Sequence, residues 1–361
     1  MMLQKLEINN FRGIKKLLVD DLKMVNVFLG KNNVGKTSIL EAIFVSLGSQ
    51  NPRVAVTIDN FRNLLHSNTE DFRFLFYELN YNNELEIKTF YEELGLEKSL
   101  KITPNHVRIY NSTLENQHNN LPSISANSDY DKIPVTGIKL NYEFKKRHSK
   151  KESSIATIEL EALNQYKLTP SKIVETNKAV LITGNIQMGA LTPKLDKLII
   201  NKQEGKLIEF LKLVDSSIQG VALGANGIIL CDTGFGKRYP LNLLGEGVVK
   251  LLAIILAIYE AEGGIVLIDE FSNGLHFTAL KSLWKAIFYS AEINNVQVFL
   301  TTHHYESLQY LKQVLDENEY SKYQSQIRSY TIRKLPDGAM KSYIYDYPKL
   351  DNAIQQEIEI R

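Results

Sequence analysis

The sequence predicts an α/β fold built on a mixed β-sheet, with an α+β subdomain of antiparallel strands inserted into it. Three observations lead there. Lys23–Leu29, a nearly continuous apolar run, passes through a Gly- and Asn-rich turn into a stretch of helical periodicity, a strand–loop–helix unit. Two further apolar runs, Ile265–Ile268 and Val296–Leu300, lie near the other end of the chain and read as strands covered on both faces. Between these halves the pattern changes to short β-like runs separated by polar, turn-rich stretches, as antiparallel strands require.

Taken in order, Leu3–Ile8 and Lys23–Leu29 read as strands. Apolar residues then recur at helical spacing from Lys36 to Leu47 (Ile39, Ala42, Ile43, Leu47), and Gly48 with Asn51-Pro52 stops the helix. Asn60–Tyr77 is expected to be helical. Strands follow at Glu84–Tyr91, Ser99–Ile102, Val107–Tyr110, Ile138–Phe144 and Ser154–Leu160, and the polar segment Asn111–Asp131 is expected to be a mobile tip. Ala179–Thr183 resumes as a strand and Leu195–Val214 as one long amphipathic helix. A Gly-punctuated hairpin (Gly220–Lys237) precedes a second apolar helix, Gly245–Glu262, which Gly263-Gly264 breaks before the Ile265 strand. Thr278–Ile293 is a helix. Pro336-Asp337-Gly338 marks a hairpin between Tyr330–Leu335 and Met340–Tyr345, and a short helix ends the chain. The core is therefore expected to be split, with residues 1–50 and 179–361 forming one domain around an insertion at 51–178.

Composition narrows the function classes. With 361 residues, one large domain or two intertwined ones is the expectation. Apolar residues at 44% and charged residues at 23% exclude general disorder, because such a chain can bury enough surface to offset ordering entropy. Lys plus Arg total 42 against 41 Asp plus Glu, which excludes a polyanion-coating protein. Cys231 is the only cysteine, so no disulfide framework or cysteine zinc site is available, and a reducing compartment fits. The N-terminus lacks the pattern of a secretory signal, and the longest apolar run, Val248–Tyr259, is broken by Lys250 and too short for a membrane span. A cytoplasmic protein with no membrane association is expected.

Gly30–Thr37 matches G-x-x-x-x-G-K-[ST] in full, after a buried strand and at the opening of a helix. Glycines let backbone amides curl around phosphate oxygens, and the helix N-terminus adds positive potential. Lys36 would reach the β/γ-phosphates of ATP and Thr37 would ligate Mg²⁺. Ile265–Glu270 supplies the complementary half, an apolar strand ending in two acids. Asp269 can hold the metal ion and Glu270 can polarise water as a general base. In Val298–His304, polar residues again end a buried strand, and a histidine there could stabilise the γ-phosphate. A metal shared by His303 and His304 is disfavoured, since neighbours after a strand point in different directions.

Together these residues resemble the ABC-type ATPase class. The order is Asn10-Phe11-Arg12-Gly13, the Gly30–Thr37 loop, Leu244–Gly247, Ile265–Glu270, Asn273–His276 and Thr301–His303. Within that class the likeness is to the RecF/OLD-like family of prokaryotic ATPases, including the wording Lys31–Ser38 and the closing residues Glu357–Arg361. The resemblance implies an ABC-type head that binds ATP and Mg²⁺ at sites shared between two copies. It implies nucleotide contacts from Arg12, Gly30, Asn32, Asn33, Gly35, Lys36, Thr37 and Ser38, and from Gly245, Glu246 and Gly247 of the opposite copy. Metal binding falls to Thr37 and Asp269, catalysis to Glu270, His303 and Lys36, and Asn273-Gly274 forms the loop facing the partner.

Two departures stand out. Gly245-Glu246-Gly247 occupies the place of a Ser-Gly-Gly signature, so Glu246 brings negative charge near a phosphate unless it points away or pairs with a lysine. The glutamine usual in such sites has only one weak candidate, Gln50. With about 90 residues after Glu270, the nuclease domain of OLD-type relatives is not expected here. By family analogy the implied role is a slow ATPase switch, dimeric or of higher order, for a separate nuclease-like effector in anti-phage defence. Alternatives are an ATP-gated scaffold and a RecF-like clamp on DNA. For the latter, Lys145-Lys146-Arg147 with Lys150-Lys151 is a candidate nucleic-acid patch, although a solvated hairpin end explains it more simply.

Overall fold

A computed structural model describes residues 2–106, 135–184 and 186–356. The expected run Val107–Tyr110, the expected tip Asn111–Asp131 and the closing residues Glu357–Arg361 lie outside them.

The chain opens with the hairpin β1 (Lys5–Phe11) and β2 (Ile14–Val19), then β3 (Val25–Leu29), α1 (Lys36–Ser46) and α2 (Val54–Asn60). Next come β4 (Leu85–Tyr91), β5 (Leu96–His106), β6 (Val135–Lys146), β7 (Glu152–Ala162) and β8 (Gln165–Thr169). After β9 (Ala179–Ile182) follow α3 (Met188–Ile200), α4 (Glu204–Val214), β10 (Gly220–Leu223), β11 (Ile229–Asp232), β12 (Tyr239–Pro240) and α5 (Glu246–Glu260). The last part runs β13 (Ile265–Ile268), α6 (Phe277–Ile293), β14 (Gln297–Thr301), α7 (Tyr305–Leu315), β15 (Ile327–Lys334), β16 (Met340–Tyr345) and α8 (Tyr347–Gln355).

The expected mixed sheet has the order β16-β15-β3-β14-β13-β9, all parallel except β16 at one edge. Its strands β3, β13 and β14 are buried along their whole length. Side-chain alternation explains why. Phe28, Leu267 and Phe299 face a core shared with α1 and the antiparallel sheet, whereas Val27, Val266, Val298 and Leu300 face the core shared with α5, α6 and α7. Helix α1 is buried on nearly all sides because it lies between the two sheets. No helix among the described residues is long and apolar enough to cross a membrane.

The expected division at residue 50 does not coincide with a sheet boundary. The antiparallel sheet has the order β2-β1-β4-β5-β6-β7-β8, so the N-terminal hairpin joins the strands of the expected insertion. Ile8 pairs directly with Ile87, and both enter the core over α1. Alternation in β1 specifies a buried face but not which edge that face joins.

Two helical expectations are corrected as well. Asn60–Tyr77 is not a helix: α2 ends at Asn60, Asn63 adopts φ 58°, and a separate 3₁₀ turn over Thr69–Leu75 starts at an Asn68–Asp71 capping box. Leu195–Val214 is two helices, because Lys202 takes the left-handed region (φ 55°) between α3 and α4. Strand β8 and helix α7 were not anticipated, although Leu308, Leu311, Val314 and Leu315 of α7 carry helical spacing.

Candidate active site

The loop Gly30–Thr37 joins β3 to α1 beneath the β15–β16 hairpin. A side chain on Gly30 (φ 145°) would begin 2.9 Å from the Ile332 carbonyl oxygen, and one on Gly35 (φ 96°) 2.9 Å from Met340 Cε. Conformation calls for glycine at both, and at Gly30 the backbone of Ile332 also leaves no space for a side chain. No side chain caps α1, which leaves its first-turn amides available to an anion. Lys36 is buried and folds back over the loop, donating to the carbonyls of Gly30 (2.8 Å) and Lys31 (3.0 Å). Burial pushes its pKa down, with Glu270 and Asp269 pulling the other way.

Parallel pairing carries the ends of β3, β14 and β13 to one edge, and the acids stand there. Asp269 accepts from Thr37 Oγ1 (3.0 and 3.1 Å) and from Thr301 Oγ1 (2.6 Å). Glu270 has φ 47°, and its N–H donates to Thr301 Oγ1 at 2.8 Å. Its Oε2 lies 2.7 Å from His303 Nδ1. The rings of His303 and His304 are 4.0 Å apart, so they do not diverge as expected, but they serve different partners: His304 Nε2 is 2.9 Å from Asn273 Oδ1.

Arg12 lies beside the loop, yet its guanidinium is largely committed to protein. Nη2 donates to Asp59 at 2.8 Å, and Nε lies 3.0 Å from Glu41 without a directed hydrogen bond. Glu41 also receives two hydrogen bonds from Arg62 (2.8 and 2.9 Å), and His66 Nε2 sits 2.9 Å from Asp59. Burial raises the Glu41 pKa, against the pull of Arg62 and Arg12. Two buried carboxylates thus hold two guanidiniums beside the loop, and removing one partner would leave a buried charge uncompensated.

A cavity of about 640 Å³ collects Arg12, Asn32, Asn33, Gly35, Lys36, Thr37, Ser38, Glu270 and His303. Gly245, Glu246 and Gly247 do not line it. Glu246 instead faces a second cavity of about 480 Å³, with Lys250, Asn273 and Gly274. Asn273 borders both cavities. Gln50 is exposed and borders neither. The basic stretch from Lys145 to Lys151 is the exposed β6–β7 turn, where Lys151 pairs with Glu143 at 2.8 Å.

Three side chains at the site were not anticipated from sequence. Arg62 enters the cavity from a segment read as helix, and its Nη2 lies 3.4 Å from Ser38 Oγ. Thr301 bridges the two acids, a role its place at a strand end could have suggested. Lys250, within the apolar stretch of α5, is buried and faces Glu270, Asp269 and Glu246. Burial lowers its pKa to about 8, and the three carboxylates resist that shift. Between about pH 8 and the ordinary lysine value of 10.5, the unfolded chain keeps a proton that the folded chain has released. Lys250 therefore adds stability as pH rises through that window and contributes a constant term below it. Denaturant titrations of wild type and Lys250→Met should show the gap moving in favour of wild type between about pH 7 and about pH 9.5. A gap that stays flat or moves the other way contradicts this assignment.

A glycine-rich loop opening a buried helix, with paired acids at the end of a parallel strand of the same sheet, defines a P-loop α/β protein. Residues 25–308 match the AAA_21 family, described as "AAA domain, putative AbiEii toxin, Type IV TA system", and the chain belongs to that family. It is similar to an ATP/GTP phosphatase of Helicobacter pylori, 27% identical over 339 residues that cover 89% of this chain and 90% of the relative. A shorter likeness, 54% over 44 residues and 12% of each chain, is to the DNA replication and repair protein RecF of Lactobacillus acidophilus. Among solved structures, an SMC head bound to the C-winged helix domain of ScpA aligns with a TM-score of 0.48 at 13% identity, over 97% of this chain and 99% of that one.

Proposed function

We propose that this protein is a slow, Mg²⁺-dependent ATP hydrolase of the ABC type whose sites are completed by a second copy, and that it acts as the switch of a separate nuclease-like effector in anti-phage defence. The observation that carries the reading is one cavity lined by Lys36, Thr37 and the Glu270–His303 pair, with Asp269 bonded to Thr37 beside it. The relative's name, ATP/GTP phosphatase, and the toxin–antitoxin wording of the family description support it. Thr37 and Asp269 offer the hard oxygen donors that Mg²⁺ prefers, and the ion, when bound, would neutralise charge on the phosphates. Lys36 would exchange the Gly30 and Lys31 carbonyls for phosphate oxygens. Glu270, oriented by His303, would accept the proton of the attacking water.

The second copy enters because Gly245–Gly247, at the N-terminus of α5, stands outside the cavity it would complete. A helix end there suits a phosphate held by another chain. Glu246 leans toward Gly274 and lies near Lys250, which supports an acid being tolerated in the signature. Mixing Lys36→Ala with Gly247→Trp protein should restore part of the hydrolysis that each lacks alone, since a mixed dimer builds one site free of both lesions. Hydrolysis per chain that is constant down to a demonstrated monomer would refute the shared site.

Residues 51–178 serve recognition in this reading, because the catalytic candidates lie elsewhere. Shortening 111–131 should weaken capture of the effector in a pull-down while ATP turnover stays within about two-fold, as loop length costs only ~0.6 kcal/mol per doubling. Unchanged capture rejects the recognition role.

A further inference from the structure

Helix α5 runs close to the loop that follows β13 and is hydrogen-bonded to it through Lys250. A side chain on Gly274 would begin 2.8 Å from Glu246 Oε2, and one on Gly247 3.4 Å from Leu275 Cδ2. One turn further along, Lys250 Nζ donates to the carbonyls of Glu270 and Asn273, both at 2.8 Å. Those two carbonyls belong to the candidate base and to the residue that borders both cavities.

The effect on Glu270 follows from its backbone. A glutamate at φ 47° sits in a region that non-glycine residues rarely occupy, and surrounding contacts must hold it there. Its N–H is held by Thr301 Oγ1, and its C=O accepts from Lys250 Nζ and from the Asn273 N–H (3.1 Å). The Phe271 N–H donates to the Thr301 carbonyl (3.1 Å), so the peptide planes on both sides are fixed and the carboxylate meets His303. Thr301 anchors the sheet side. Lys250 anchors the helix side, on the helix whose first turn carries Gly245–Gly247 in the proposed dimer.

We propose that Lys250 is a positioning residue that couples the N-terminal end of α5 to the backbone of Glu270, so that nucleotide from the partner copy sets the reach of this chain's own base. The coupling rests on the shared-site reading above. It makes each chain a relay: a phosphate seated at the helix end shifts α5, Lys250 carries the shift to residues 270–273, and Glu270 reaches water only when α5 is seated. An apolar residue would fill the position without ion burial, but it would take the Lys250 donor from the Asn273 carbonyl and leave the Glu270 carbonyl with only the Asn273 N–H.

Lys250→Met removes the donor at nearly constant volume, and Lys250→Arg restores a cation. Two measurements separate coupling from simple packing. Amide hydrogen exchange of nucleotide-free protein should show residues 270–275 exchanging at least about ten-fold faster in Lys250→Met, with α1 unchanged and Lys250→Arg close to wild type. Steady-state kinetics should show kcat reduced at least about ten-fold with ATP affinity within about two-fold, partial recovery in Lys250→Arg, and no further loss when Lys250→Met is added to Glu270→Gln. Unchanged exchange at 270–275 overturns the proposal, as does a kcat loss that adds in full to that of Glu270→Gln. Wild-type protein that hydrolyses no ATP would defeat the hydrolase reading instead, and the exchange result would still decide whether Lys250 holds the loop.

Discussion

Lys36→Ala should lower ATP affinity by about 100-fold while leaving the fold intact. The side chain folds back over the loop, and its present acceptors, the Gly30 and Lys31 carbonyls, mark where its donors point. Charge-assisted hydrogen bonds to phosphate contribute ~1.5–3 kcal/mol each, so losing two of them accounts for about 3 kcal/mol, or about 100-fold. Folding should survive because the substitution also removes a buried ammonium, which burial already disfavours. Calorimetry on both proteins, with a thermal melt as the folding control, decides the matter. Equal affinity in the two would end the assignment of this loop as the phosphate site.

Glu270→Gln should hold ATP as well as wild type and hydrolyse it roughly 10³-fold more slowly, the range in which a positioned general base contributes. The amide keeps the size of the carboxylate and can still hydrogen-bond His303 Nδ1, whose tautomer can adjust. Asp269, Thr37 and Thr301 are untouched, so the candidate metal ligands stay in place. What disappears is the capacity to accept a proton. Single-turnover hydrolysis beside a nucleotide-binding titration reads the two effects separately. A variant that turns over at the wild-type rate would transfer the base to another group, and one that fails to bind would make Glu270 a binding residue.

Much of this site was legible before folding because its parts are local. The Gly30–Thr37 loop needs only a strand before it and a helix after it, and Ile265–Glu270 and Val298–His303 each announce a buried strand with polar residues at its end. Parallel pairing then brings these ends together without further instruction. Arg12 shows the limit of such reading. Its place in the order of motifs suggested a phosphate contact, whereas the fold surrounds it with Glu41 and Asp59, which lie on other elements.

The sequence by itself determined the mixed α/β class, the phosphate-type loop and the acid pair, because each depends on spacing within a few residues and on the period of apolar side chains. Tertiary structure alone decided that the β1–β2 hairpin joins the antiparallel sheet, that Arg62 reaches the cavity, and that Lys250 grips the backbone of Glu270 and Asn273. The reason is physical. Periodicity states that a face must be buried but not against what, and a lone polar residue on an apolar helix carries no mark of its acceptor until distant segments pack.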